Sequence, residues 1–182
     1  MTEEPVTRGR LFLVTSPVPD AAAAVAVELA HRLPRCLVVA GSQVDAMVVS
    51  GRVPDDDVDL EGVRHRLLRW SACLAAAETY QLEGFDAVVH DVVIGGHLED
   101  FLDLAAPETV HVVVLDDPRL SATPRWGLWL VARAAPPGTL AEAILAHLDT
   151  SRVLTTEPVD PDEPIDPSAG TSVPVEDPKA PD

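Results

Sequence analysis

The 182-residue chain reads as a three-layer α/β/α sandwich built on a five-stranded parallel sheet. Three observations carry that reading. Short β-branched apolar runs alternate with helical stretches along most of the sequence. Two of the runs, 85–93 and 109–115, are apolar almost without interruption, as strands covered on both faces are. After Leu154 large apolar residues nearly vanish and prolines alternate with acids, so a packed core has to be complete by then.

The elements follow in order. Arg10 to Thr15 is the first strand, and the Ala-rich stretch from Ala21 to Leu33 is a helix behind it. Cys36 to Ala40 is the second strand, followed by a short segment over Val44 to Val49. A long helix from about Asp57 to Glu83 carries Leu60, Val63, Leu67, Trp70, Leu74 and Ala77 at spacings of three and four, one face of a 3.6-residue period. Gly84 stands where that helix stops. Phe85 to Val93 and Thr109 to Leu115 are strands three and four, with a short helix from His97 to Leu104 between them. Leu128 to Ala132 is the fifth strand, and Pro136-Pro137-Gly138 leads into a last helix over Thr139 to Leu148. Strands joined through helices run parallel.

Domain organisation follows: a flexible N-terminus over 1–8, one α/β domain over 9–150, and a disordered Pro/acid-rich tail over 151–182. The tail carries Pro158, Pro161, Pro164, Pro167, Pro174, Pro178 and Pro181, and eight acids against Arg152 and Lys179. A formal charge of −17 argues against nucleic acid as a partner, because phosphate contacts need clustered Lys and Arg. No apolar run is long enough to span a membrane, and Met-Thr-Glu-Glu-Pro is unlike a signal peptide, so the expectation is a cytoplasmic protein without membrane contact. Cys36 and Cys73 lack metal-ligand spacing and read as buried thiols.

The opening Gly-Arg-Leu-Phe-Leu-Val-Thr before a helix, MVVSGRVP from Met47, FDAVVHDVV from Phe85, GGHLEDF from Gly95 and PRWGLWL from Pro124 together resemble P-loop kinases of the chloramphenicol phosphotransferase and adenylate kinase-like type. The resemblance extends over nearly all of Gly9 to Leu148. It implies a GxxxxGK[ST] loop after the first strand, whose backbone wraps phosphates, whose Lys reaches the outer phosphates and whose hydroxyl holds magnesium. Here Ser16 falls at the first glycine, Ala21 at the second, Ala22 at the lysine and Ala23 at the hydroxyl residue, so every defining position departs. Pro17 and Pro19 remove backbone donors, and Asp20 is expected at the N-cap, where its carboxylate takes the place of a phosphate.

The resemblance also implies an acid following the glycine after strand two, where Gly41 is followed by Ser42 and Gln43, and an Arg-bearing lid after strand four, where 115–124 leaves no room for one. Asp45, one helical turn further on, either faces the same cleft or, as the leading reading, belongs to a solvated face. Asp91 matches the family's acidic strand-end position and is a weak magnesium candidate, or else a cap on the turn before Gly95-Gly96. Arg66 and Arg69, in the basic patch with Arg64 and His65, would hold an anion or pair with Asp57, Asp59 and Glu61. His90 and Asp91 are adjacent in a strand and point to opposite faces, so they form no dyad. His90, His97 and His111 read as core or surface histidines, and Trp70, Trp126 and Trp129 as packing residues.

The residual cleft is therefore Ser42, Asp91, Arg66 and Arg69, with no catalytic residue, metal or cofactor assigned. The leading expectation is a kinase-like protein that is non-catalytic and serves binding or regulation of an unknown small molecule or protein. Two alternatives stand beside it: an ATP- and magnesium-dependent small-molecule phosphotransferase with an atypical loop, and an interaction module acting through the acidic tail.

Overall fold

The structure is a computed structural model, and it describes residues 7–54 and 59–154. The chain forms β1 (Leu11–Thr15), α1 (Pro19–His31), β2 (Cys36–Ala40), α2 (Gly41–Ala46), α3 (Leu60–Gln81), β3 (Asp86–Asp91), α4 (His97–Ala105), β4 (Thr109–Leu115), β5 (Leu128–Leu130), α5 (Pro137–Ala146), α6 (Leu148–Ser151) and β6 (Arg152–Leu154). The sheet runs β2-β3-β1-β4-β5, all parallel, so β1 lies centrally and the chain reverses its direction across the sheet on either side of it.

Alternation along the central strands builds two cores. Leu11 and Leu13 face α3 and α4 with Trp70, Cys73, Phe101, Val89 and Val112. Phe12 and Val14 face α1 and α5 with Val25, Leu29, Val88, Val113 and Ile144. Both sets are buried, which is why β1, β3 and β4 read as near-continuous apolar runs.

α3 is capped by Asp59, whose carboxylate accepts from the Glu61 and Gly62 amides. Its expected apolar face turns inward at Trp70 and Ala77, while Leu60 is 85% exposed. Gly84 ends the α3 region at φ 76°, its amide bonded to the Gln81 carbonyl.

The sheet has a sixth strand that sequence reasoning assigned to the tail. β6 pairs antiparallel with the first half of β4, Thr109↔Leu154 and His111↔Arg152, while β5 pairs with its second half. Ser151 is fully buried: its hydroxyl donates to the Leu148 carbonyl and meets His111 Nδ1 at 2.8 Å. The packed chain thus continues at least to Leu154. The remaining tail, 155–182, and the N-terminal residues 1–6 lie outside the described residues. Among the described residues, no helix is long and apolar enough to cross a membrane.

Candidate functional site

The carboxyl ends of β1, β2 and β3 meet where the strand order reverses, the place at which open α/β sheets hold ligands. Thr15 and Asp91 are register partners there. Thr15 Oγ1 accepts from the Val93 amide and donates to the Val93 carbonyl, each at 2.9 Å, which ties the end of β1 to the segment after β3.

Only Ser16, Pro17 and Val18 separate β1 from α1. The Val18 amide donates to Ser16 Oγ at 3.0 Å, and the Ala21 and Ala22 amides already bond the Val18 carbonyl. Asp20 is not the N-cap. Pro19 fixes the first helical position, so the helix begins two residues earlier than expected and Val18 takes the cap position without a side-chain hydrogen bond. Asp20 is an exposed residue of the first turn, where its charge still complements the helix dipole. Ala21 and Ala23 are half-buried, and Ala22 is 1% exposed, packed in the α1 core.

Asp91 is enclosed. Its Oδ2 accepts from the Trp70 indole at 2.9 Å, and its Oδ1 accepts from the Val92 amide at 2.8 Å. Arg69 Nε lies 2.9 Å from Oδ2 off the N–H direction, so that contact is Coulombic rather than a directed hydrogen bond. The two side chains are 4% and 8% exposed. Gly41, at the start of α2, leaves the space the carboxylate uses: a Cβ there would stand 2.2 Å from Asp91 Oδ2. Asp91 therefore binds Trp70, Arg69 and its own next amide, not the Gly95-Gly96 turn. The Gly95 amide goes instead to Thr123 Oγ1 at 2.8 Å.

Asp45 contradicts the expectation of a solvated face. It is 3% exposed, with Oδ1 2.7 Å from His65 Nε2 and Oδ2 accepting from Arg52 Nε at 2.6 Å. Burial opposes its charge, but the His65 and Arg52 hydrogen bonds and the charges of Arg52 and Arg69 outweigh that and hold its pKa below the usual carboxylate range. A six-residue helix made of GSQVDA has few apolar positions, and α2 turns Asp45 inward because α3 supplies His65 opposite it.

Arg66 and Arg69 do not share a task. Arg69 is turned into the core onto Asp91, whereas Arg66 Nη1 lies 2.9 Å from His97 Nε2. A guanidinium only donates, so His97 Nε2 accepts and its proton sits on Nδ1, facing Asp100 Oδ2 at 3.3 Å. Ser42 is exposed on α2. Of the residual cleft, Asp91 and Arg69 are brought together in the interior, with Arg66 half-buried and Ser42 outside. Asp57, an expected partner of the basic patch, lies outside the described residues. Trp70, Gly41 and Arg52 were missed as site residues. Trp70 gave the signal of any packing tryptophan, although a buried indole N–H does require an acceptor.

Beyond this cluster, Arg119 clamps Asp117 through Nε and Nη2 at 2.8 and 3.1 Å, and hydrogen bonds from the Arg119 side chain and amide bring the Asp117 pKa down to about 2. Arg125 stacks over the Trp129 ring at 4.1 Å. Burial lowers the His90 and His111 pKa values. Among the described residues, no three His, Cys, Asp or Glu side chains are grouped to hold a metal ion.

No protein-family model matches this sequence. No curated protein matches it either. Solved structures do match. The APS kinase CysC of Mycobacterium tuberculosis, in a cysteine-to-alanine mutant, superposes with a TM-score of 0.57 at 13% identity, covering 78% of this chain and 99% of that one. An unliganded sugar kinase from Janibacter sp. HTCC2649 gives a TM-score of 0.56 at 14% identity, covering 78% and 95%. Identities this low bear on fold alone: the parallel sheet flanked by helices in this chain resembles the fold of these P-loop kinases.

Proposed function

We propose that this protein is a non-catalytic relative of the P-loop kinases, kept for binding or regulation rather than phosphoryl transfer. The observation that carries the reading is the β1–α1 connection. Three residues join strand to helix, Pro17 and Pro19 have no amide proton to offer a phosphate, and Ala22 is packed in the core where the resemblance would place a lysine. A phosphate cradle needs a longer glycine-rich turn with its amides free. The residues present therefore do not fit ATP with magnesium.

The Asp91 environment supports the same reading. A carboxylate that held magnesium would need an open oxygen facing the cleft. Asp91 instead spends Oδ2 on Trp70 and Arg69, and Oδ1 on the Val92 amide. The acceptor side of the cleft is filled in the same way by Asp45, His65 and Arg52. The protein's own ion pairs stand where ligand charges would stand in an active kinase.

A thermal-denaturation panel tests this. Ligands that bind only the folded state raise its stability by mass action. ATP, ADP, GTP and GDP at millimolar concentration, each with and without magnesium, should leave the midpoint unchanged. A magnesium-dependent rise with one nucleotide would favour a phosphotransferase with an atypical loop.

A further inference from the structure

A second surface, independent of the β1–α1 loop, lies where the described chain ends. An open groove of about 680 Å³ runs between α4 and β6, with Leu102, Gly127 and Val153 among its lining residues. Trp126 forms one wall and is 39% exposed; Leu154, the last described residue, lines the groove and is 68% exposed. Arg125 and Arg152 supply positive charge, and Glu99 and Asp103 on α4 supply negative charge. Tryptophan and arginine together on a concave surface are the residues that dominate recognition sites.

The sequence beyond Leu154 has a matching pattern. Pro158, Pro161, Pro164 and Pro167 recur every third residue, and Asp160, Glu163 and Asp166 follow the same spacing one position ahead of a proline. Polyproline II has three residues per turn, so in that conformation the spacing would stack the prolines on one face and the three acids on the next. Proline faces of this kind dock on aromatic walls. We propose that Pro158–Pro164 of this chain docks in its own α4–β6 groove, prolines against Trp126 and the Asp160 and Glu163 carboxylates toward Arg125 and Arg152.

Three features favour this occupant. Leu154 is itself part of the groove, and the four residues to Pro158 span at most about 14 Å, so the segment begins beside its site. A short tether holds it at an effective concentration on the order of millimolar, so a weak intrinsic affinity suffices. Charge sets its placement: Glu99 and Asp103 repel the tail's acids from the α4 wall and leave Arg125 and Arg152 as their partners.

The test uses the full chain, ¹⁵N-labelled, with the Trp126 indole signal assigned by loss in Trp126→Phe. Substituting Pro158→Ala, Pro161→Ala and Pro164→Ala together should move that signal while leaving the Trp70 indole unchanged. A peptide of residues 155–168 added to the substituted chain should move it back, with a Kd on the order of millimolar. An identical Trp126 signal in the two chains overturns the proposal. So does a wild-type signal that changes on dilution, since the segment would then come from a second copy.

Discussion

Gly41 and Asp91 share one space: a Cβ on residue 41 would stand 2.2 Å from Asp91 Oδ2 and 2.4 Å from its Cγ. The glycine is fixed by packing, not by backbone angle, because it has no positive φ. Asp91 cannot swing aside cheaply, since Trp70 and the Val92 amide hold it. Gly41→Ala should therefore destabilise the fold by about 1–3 kcal/mol, the usual cost of overpacking, as measured by urea denaturation. Gly41→Ala combined with Asp91→Ala should cost less than the sum of the two.

Asp91 and Arg69 form a buried pair, 8% and 4% exposed. Asp91→Ala takes the carboxylate from Arg69 and the acceptor from the Trp70 indole, a loss of roughly 3–5 kcal/mol by analogy with other broken buried pairs. Asp91→Asn keeps an acceptor for Trp70 and should cost less. A double-mutant cycle with Arg69→Met measures the coupling; no coupling would mean that the pair does not form.

Acid should destabilise the protein in two stages. Burial, deepened for His111 by the Arg10 and Arg152 charges and offset by Asp86 and the Leu148 backbone, lowers the His111 pKa; burial also lowers that of His90, against the charge of Asp91. The unfolded chain then binds more protons as pH falls below about 6.5, so stability declines, at most about 1.4 kcal/mol per pH unit for each histidine. Asp45 acts lower. Its folded pKa lies under the ordinary value of about 3.9, so its stabilisation is present above that pH and is lost as pH falls through the folded value. His111→Gln should flatten the first stage only, in denaturation curves taken between pH 7 and 5.

Ala22→Lys separates two accounts of α1. In a loop that merely lost its lysine, restoring it would be tolerated. With residue 22 packed against the α1 core at 1% exposure, an ammonium must be buried or the helix must shift. The variant should lose at least about 2 kcal/mol and gain no nucleotide response.

Both thiols should be slow. Burial, with nearby acids, pushes Cys73 up to about 12 and Cys36 up to about 11. The thiolate is the reactive form, so alkylation by iodoacetamide at pH 8 should be far slower in the folded protein than in urea. Fast labelling of Cys73 in native buffer would contradict its placement in the core.

The layers of this fold were legible because strand and helix periods differ. The near-continuous apolar runs of β3 and β4 marked strands covered on both faces, and Gly84 marked the end of α3. β6 was illegible: Arg152 to Leu154 is three residues at the margin of a proline-rich tail, and only the neighbouring half of β4 gives it a partner. Ala21, Ala22 and Ala23 could be set residue by residue against the motif that the resemblance implies, because that motif is local. The partners of Asp91 and Asp45 could not. Trp70 and His65 reach them from a helix that follows β2 and α2 in sequence, and only tertiary packing sets those distances. Asp20 failed for a local reason, since Pro19 started the helix two residues early.

On the proposed reading, the carboxyl edge of this sheet is filled by the protein's own charges and offers no nucleotide site. Isothermal titration of the full chain with ATP and with GTP, each with and without magnesium, tests it most directly. The expected result is no binding heat, or affinity weaker than about 1 mM. Micromolar, magnesium-dependent binding would contradict it, and would require Asp91 to leave Trp70 and Arg69 for the metal.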